Sequence, residues 1–158
     1  MSRPTSISRA RALVLIALLA LSTAGCERAK TRLDREVDRL CAIDGGVHIY
    51  ETVTLSKENF GPDGEVFPQY RGDVISGGGF GPDYKWHSFT KRIVDGDPSL
   101  TRWEQTITKT SNSKVLGKRI VYVRGGGDLP GPWAPSEYSC RDVPLDLTQQ
   151  VFLKEDSK

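Results

Sequence analysis

Three β-rich runs, Tyr84–Val94, Leu100–Thr110 and Val115–Arg124, follow one another with only Asp95-Gly96-Asp97-Pro98 and Ser111-Asn112-Ser113 turning the chain between them. Links this short join antiparallel neighbours, because a parallel return needs a crossover of about a dozen residues or more. The pattern therefore predicts an antiparallel meander. Its apolar positions include Trp86, Phe89, Ile93, Trp103, Ile107, Val121 and Val123. Upstream, Val47 to Leu55 alternates, with Val47, Ile49, Val53 and Leu55 on one face and His48, Tyr50, Thr52 and Thr54 on the other. That period of two reads as one half-buried strand, interrupted on its apolar face by Glu51. A last run, Thr148 to Leu153, is expected to add an edge strand, so the sheet should hold about four to five strands.

Residues 27–40 read as a helix. They contain no Gly or Pro, and Leu33, Val37 and Leu40 recur at i, i+4, i+7 to make one apolar stripe. Lys30/Asp34, Arg32/Glu36 and Glu36/Arg39 stand at spacings where opposite charges meet on a helix surface. Asp44-Gly45-Gly46 should end it, since glycine accepts the positive φ that follows a helix. The fold class expected is α+β, with an amphipathic helix lying on an antiparallel meander and residues 46–153 mainly β with loops.

Ser56 to Gly81 is the least regular part, with one short strand expected at Glu65 to Tyr70. Phe-Gly-Pro-Asp occurs at Phe60–Asp63 and again at Phe80–Asp83, but the flanks differ, so two similar turns explain it better than a repeat. Gly125-Gly126-Gly127 should close the meander. A phosphate-binding loop is excluded there: Asp128-Leu129-Pro130 cannot begin the required helix, and Asp128 would repel phosphate.

The N-terminus has three regions. Arg3, Arg9 and Arg11 come first, Ala12 to Leu21 is an unbroken apolar run, and small residues Ser22 to Gly25 lead to Cys26. This is the secretory pattern, and the apolar run is too short for a bilayer core, which needs about 20 residues. Ala24-Gly25-Cys26 resembles the lipobox of signal peptidase II substrates, with Thr23 departing from the usual Leu. The resemblance implies a signal peptide over 1–25 and a mature chain of 26–158 whose Cys26 carries the lipid. Ordinary cleavage after Ala24 is the alternative. In the lipoprotein reading Cys26 is consumed as a thioether, which leaves Cys41 and Cys140 as one disulfide pair in an oxidising compartment. Glu27 is not the Asp that retains many such proteins at the inner membrane, so the cell envelope is expected as the location, with the outer membrane favoured.

Removing the three signal arginines from 22 basic residues leaves 19 against 20 acidic ones, a net charge of −1 for the mature part. Such a balance offers no basic field for nucleic acid or anionic lipid. No cofactor is indicated. His48 and His87 fall on separate expected strands without further ligands at metal spacing, so no metal site is expected. No Gly-x-Ser-x-Gly elbow occurs, and a hydrolase would have to draw on Glu51 or on His48 and His87. A small-ligand pocket would be lined by Trp86, Trp103 and Tyr122. The remaining surface feature is the loop with Leu129 and Trp133 among Pro130, Pro132 and Pro135, a candidate interaction loop, the favoured alternative being that Trp133 folds back to plug the core beside Cys140.

Two blocks, Cys41 to Gly46 leading to Tyr50-Glu51-Thr52-Val53, and Gly126 to Trp133, resemble small uncharacterised lipoproteins of Gram-negative bacteria. That resemblance brings no activity with it. The expected role is a membrane-anchored, non-enzymatic interaction or structural module with a possible envelope protein as partner, a small-ligand-binding module being the alternative.

Overall fold

The computed structural model describes residues 28–67, 83–128, 131–132, 134–144 and 146–155. Cys26, Leu129 and Trp133 lie outside the described residues, as does the second half (68–70) of the strand expected at Glu65–Tyr70. Among the described residues no helix is long and apolar enough to cross a membrane.

Helix α1 covers residues 28–44, one turn further than the periodicity predicts. Its last turn thus contains Cys41, and it closes where the Gly45 N–H donates to the Cys41 carbonyl at 3.0 Å. Gly45 is needed there because a Cβ would lie 2.7 Å from the Cys41 Cα and 3.2 Å from the Cys140 Sγ.

Strand β1 is Gly46–Ile49 and β2 is Val53–Leu55. The single strand expected over Val47–Leu55 is therefore two. Tyr50 and Glu51 both donate their N–H to the Leu116 carbonyl, at 2.8 and 3.0 Å, so two residues face one and the ladder ends. Beyond this break, β2 pairs in parallel with β7, Phe152–Lys154. The C-terminal run expected to extend the main sheet is instead a helical turn, α2 (Thr148–Val151), followed by β7 in a separate two-stranded sheet. Among the described residues of the strand expected at Glu65–Tyr70, Val66 forms an isolated bridge with Phe60.

The meander forms as expected from β3 (Tyr84–Val94), β4 (Ser99–Lys109) and β5 (Val115–Gly125). The main sheet runs β1-β5-β4-β3, and β6 (Glu137–Ser139), which periodicity does not reveal, also pairs with β5. All pairings in this five-stranded sheet are antiparallel.

Directly paired residues share a face, so the register sorts the side chains. Leu100, Ile120 and Tyr122 point towards α1 and form a buried cluster with Leu33, Val37 and Cys140. Trp86, Ile107 and Gly117 occupy one cross-strand row on the opposite face. There a second cluster gathers Leu147, Val151 and Phe152 from the C-terminal segment, with Val47, Ile49, Val53 and Leu55 against it. The apolar face read for 47–55 thus survives the strand break. Gly117 lets this segment lie close, since a Cβ would sit 2.7 Å from Val151 Cγ2.

Of the three helical charge pairs expected, only Glu36–Arg39 forms, at 2.7 Å. The other charges serve the tertiary structure. Asp34 accepts from Arg124 at 2.8 Å, and Lys30 pairs with Asp128 at 2.7 Å. The hydrogen bond from Lys30 and those from the Ser136 N–H and hydroxyl pull the Asp128 carboxyl down to about 2. An unfolded carboxyl of this type titrates near ~3.9. The stabilisation from Asp128 is therefore complete above about pH 4 and is lost as pH falls towards 2. Thermal unfolding of the wild type and of Asp128→Asn should converge across that window, the wild type being the more stable above it. A constant difference down to pH 2 would disprove the assignment.

Candidate interaction surface

The helix and the C-terminal segment cover β5 and the ends of β4, but not the middle of β3. Every residue from His87 to Ile93 is exposed. Strand β3 pairs only with β4, so its outer edge presents backbone N–H and C=O groups with no partner for His87–Ile93 among the described residues. At ~3.3 Å per residue this stretch is about 23 Å long, ample for pairing with another strand.

Its side chains are apolar and basic. Phe89 is 58 % exposed on the α1 side, Trp103 is 49 % exposed on the opposite side, and Ile93 at the β3 bulge is 42 % exposed. These three depart from the apolar core positions read from the meander. The paired ribbon extends beyond what the helix and the C-terminal segment can cover. From Tyr84 to Val94 there are four basic or imidazole side chains, Lys85, His87, Lys91 and Arg92, and no acid. Arg92 reaches Asp95 only at 4.0 Å, with both side chains well exposed. The polar Ser88, Thr90 and Arg92 already signal in the sequence that this face of β3 leaves the core; which edge of the sheet stays bare depends on strand order, which composition does not encode.

Beside the ribbon, on the α1 side, lies a dense polar network. Tyr122 donates its hydroxyl to Asp44 at 2.8 Å and accepts from Arg102 Nε at 3.2 Å. Arg102 also pairs with Glu104 and with Asp44, the latter at 3.5 Å, while Lys118 reaches Glu104 at 2.8 Å. Burial would raise the Glu104 carboxyl, but the hydrogen bonds from Lys118 and Arg102 outweigh it and hold it below the usual range. Burial and the bond to Asp44 push the Tyr122 hydroxyl up. Two cations answer two carboxylates, so the network ties the end of α1 to the sheet and presents no activated nucleophile.

The sequence-derived sites distribute as follows. Cys41 and Cys140 are bonded, with Cα atoms 5.6 Å apart. His87, Thr106, Lys118 and His48 form one cross-strand row on the α1 side, which puts the two histidines three strand spacings apart, about 14 Å. His48 is engaged with the Asp44 carbonyl at 3.1 Å, and Glu51 with Lys114. The three hydrolase candidates therefore share no cleft. Among the described residues no group of three His, Cys, Asp or Glu could hold a metal. Trp86 and Trp103 are on the face opposite Tyr122, so those rings line no common pocket between helix and sheet. The glycine run does bind an anion, but an internal one: the Gly127 N–H donates to the Asp97 carboxylate. An open hollow of about 310 Å³ lies between the Phe60–Gly64 turn and β7.

These features define a disulfide-bonded α+β domain with a basic edge strand that is unpaired on its outer side among the described residues. No protein family, curated protein or solved structure matches the chain.

Proposed function

We propose that the chain is an exported lipoprotein, anchored in the cell envelope through Cys26, whose domain is a non-enzymatic module that binds an extended acidic segment of an envelope protein along β3. The anchor rests on the Ala24-Gly25-Cys26 motif and on the cysteine count, in which Cys41 and Cys140 use each other. The binding role rests on one observation: the outer edge of His87–Ile93 is unpaired among the described residues, exposed on both faces and free of acids. Strand addition draws affinity from main-chain hydrogen bonds and specificity from alternate side chains. Lys91 and Arg92 would repel the β3 of a second copy, a common protection of sheet edges, and the same charges favour an acidic strand.

Titration of the purified mature protein with a synthetic peptide of alternating valine and glutamate tests this. Amide shifts should saturate along His87–Ile93, weaken with salt, and fall at least about tenfold in affinity for Lys91→Glu/Arg92→Glu. Equal binding of a valine–lysine peptide, or no saturable shift along β3, would refute the binding role.

A further inference from the structure

Net charge conceals a cation pattern on the outer side of α1. Arg28, Arg32 and Arg35 stand at i, i+4, i+7, and Arg39 continues the stripe. At roughly 100° per residue these four project from one side of the helix, while Leu33, Val37 and Leu40 project from the other. The apolar stripe is held in the core and the Cys41–Cys140 bond fixes the helix end, so α1 cannot roll to hide the arginines. Arg39 is neutralised by Glu36 and Lys30 is turned inwards to Asp128. Arg28, Arg32 and Arg35 are exposed, make no ion pair among the described residues, and line an open hollow of about 420 Å³.

Three guanidinium groups without an ion pair among the described residues, on a rigid face, call for an anionic surface, and the chain brings one close. Arg28 follows Cys26 by two residues, a reach of at most about 7 Å. The helical rise takes Arg35 only about 10 Å further. We propose that Arg28, Arg32 and Arg35 rest on the anionic headgroups of the membrane that holds the anchor, so that α1 lies along the surface and the domain projects in one orientation. This rests on the reading of Cys26 as the lipidated residue, and it replaces the expectation that a net charge of −1 leaves anionic lipid without a partner. Planar guanidinium groups suit phosphate through paired N–H donors. Each cation near an anionic leaflet favours contact roughly fivefold, so three together bias the orientation by about a hundredfold.

The mature protein from membranes is reconstituted into vesicles of phosphatidylcholine alone or with phosphatidylglycerol, then treated with an arginine-specific dicarbonyl reagent. Peptide mass spectrometry follows each arginine, with exposed Arg92 on β3 as the internal reference. Arg28, Arg32 and Arg35 should react about tenfold more slowly in the anionic vesicles, Arg92 unchanged, and high salt should remove the protection. The same spectra read the mass at Cys26. An acylated Cys26 with equal rates in both vesicles would overturn the orientation and leave the anchor standing. A Cys26 without acyl mass would overturn both. Equal protection by inorganic phosphate in solution would replace the membrane face by a free-anion site.

Discussion

Replacing Cys41 and Cys140 by serine should lower the free energy of unfolding by about 4 kcal/mol, the largest effect expected from any local change in this domain. The bond joins residues separated by 99 positions, tying the last turn of α1 to the residue that follows β6. In the unfolded chain it closes a loop of nearly the whole domain, and its removal releases that conformational freedom. The native contacts around it are not confined to sulfur. Leu33 and Val37 remain in the core, and Arg124–Asp34 and Lys30–Asp128 still hold the helix. The double variant should therefore fold, with a urea midpoint lower by about 2 M for a slope near 2 kcal/mol/M. The slope should also rise, because an uncrosslinked chain exposes more surface when unfolded. A loss below about 1 kcal/mol would mean that the unfolded chain gains little freedom without the bond.

Asp34→Ala should cost about 3 kcal/mol. Its partner Arg124 has a side chain only 3 % exposed, while Asp34 itself is 27 % exposed. Arg124 donates from Nε to Asp34 at 2.8 Å and from Nη1 to the Gly126 and Ser136 carbonyls at 2.8 and 2.9 Å. The guanidinium thus joins α1, the end of β5 and the segment entering β6. Deleting the carboxylate leaves a buried cation with neutral acceptors alone, which is the costly way to break such a pair. Arg124→Met should also destabilise, because the Gly126 carbonyl loses its charged donor and the Ser136 carbonyl keeps only the Gly126 N–H. The double variant should lose less than the sum, and a denaturation cycle over the four proteins reads the coupling. Strict additivity would show that Asp34 and Arg124 do not act as a pair.

Much of the architecture follows from local pattern. Period-two runs separated by turns of a few residues leave the chain between Tyr84 and Gly125 one inexpensive arrangement, and the meander takes it. The stripe Leu33, Val37, Leu40 likewise identifies the buried side of α1. Periodicity fails where a short element owes its form to a distant partner. β6 has three residues and exists because β5 offers it an edge, and β7 pairs with β2 across most of the chain. Charge partners show the same limit. Lys30 and Asp34 are helical neighbours in sequence, yet each finds a better-buried partner elsewhere.

What the sequence by itself determined was the antiparallel meander, the amphipathic helix before it, and a cysteine count in which two thiols are left to each other once Cys26 is assigned to lipid. Each of these depends on spacing of a few residues or on simple number. Only the tertiary structure decided what lies open. It left the outer edge of His87–Ile93 unpaired among the described residues, exposed Phe89 and Trp103 on opposite faces, and turned Arg28, Arg32 and Arg35 away from the core. Exposure is the remainder after every other element has been packed, so it depends on strand order and on which face each segment covers. No local pattern carries that information.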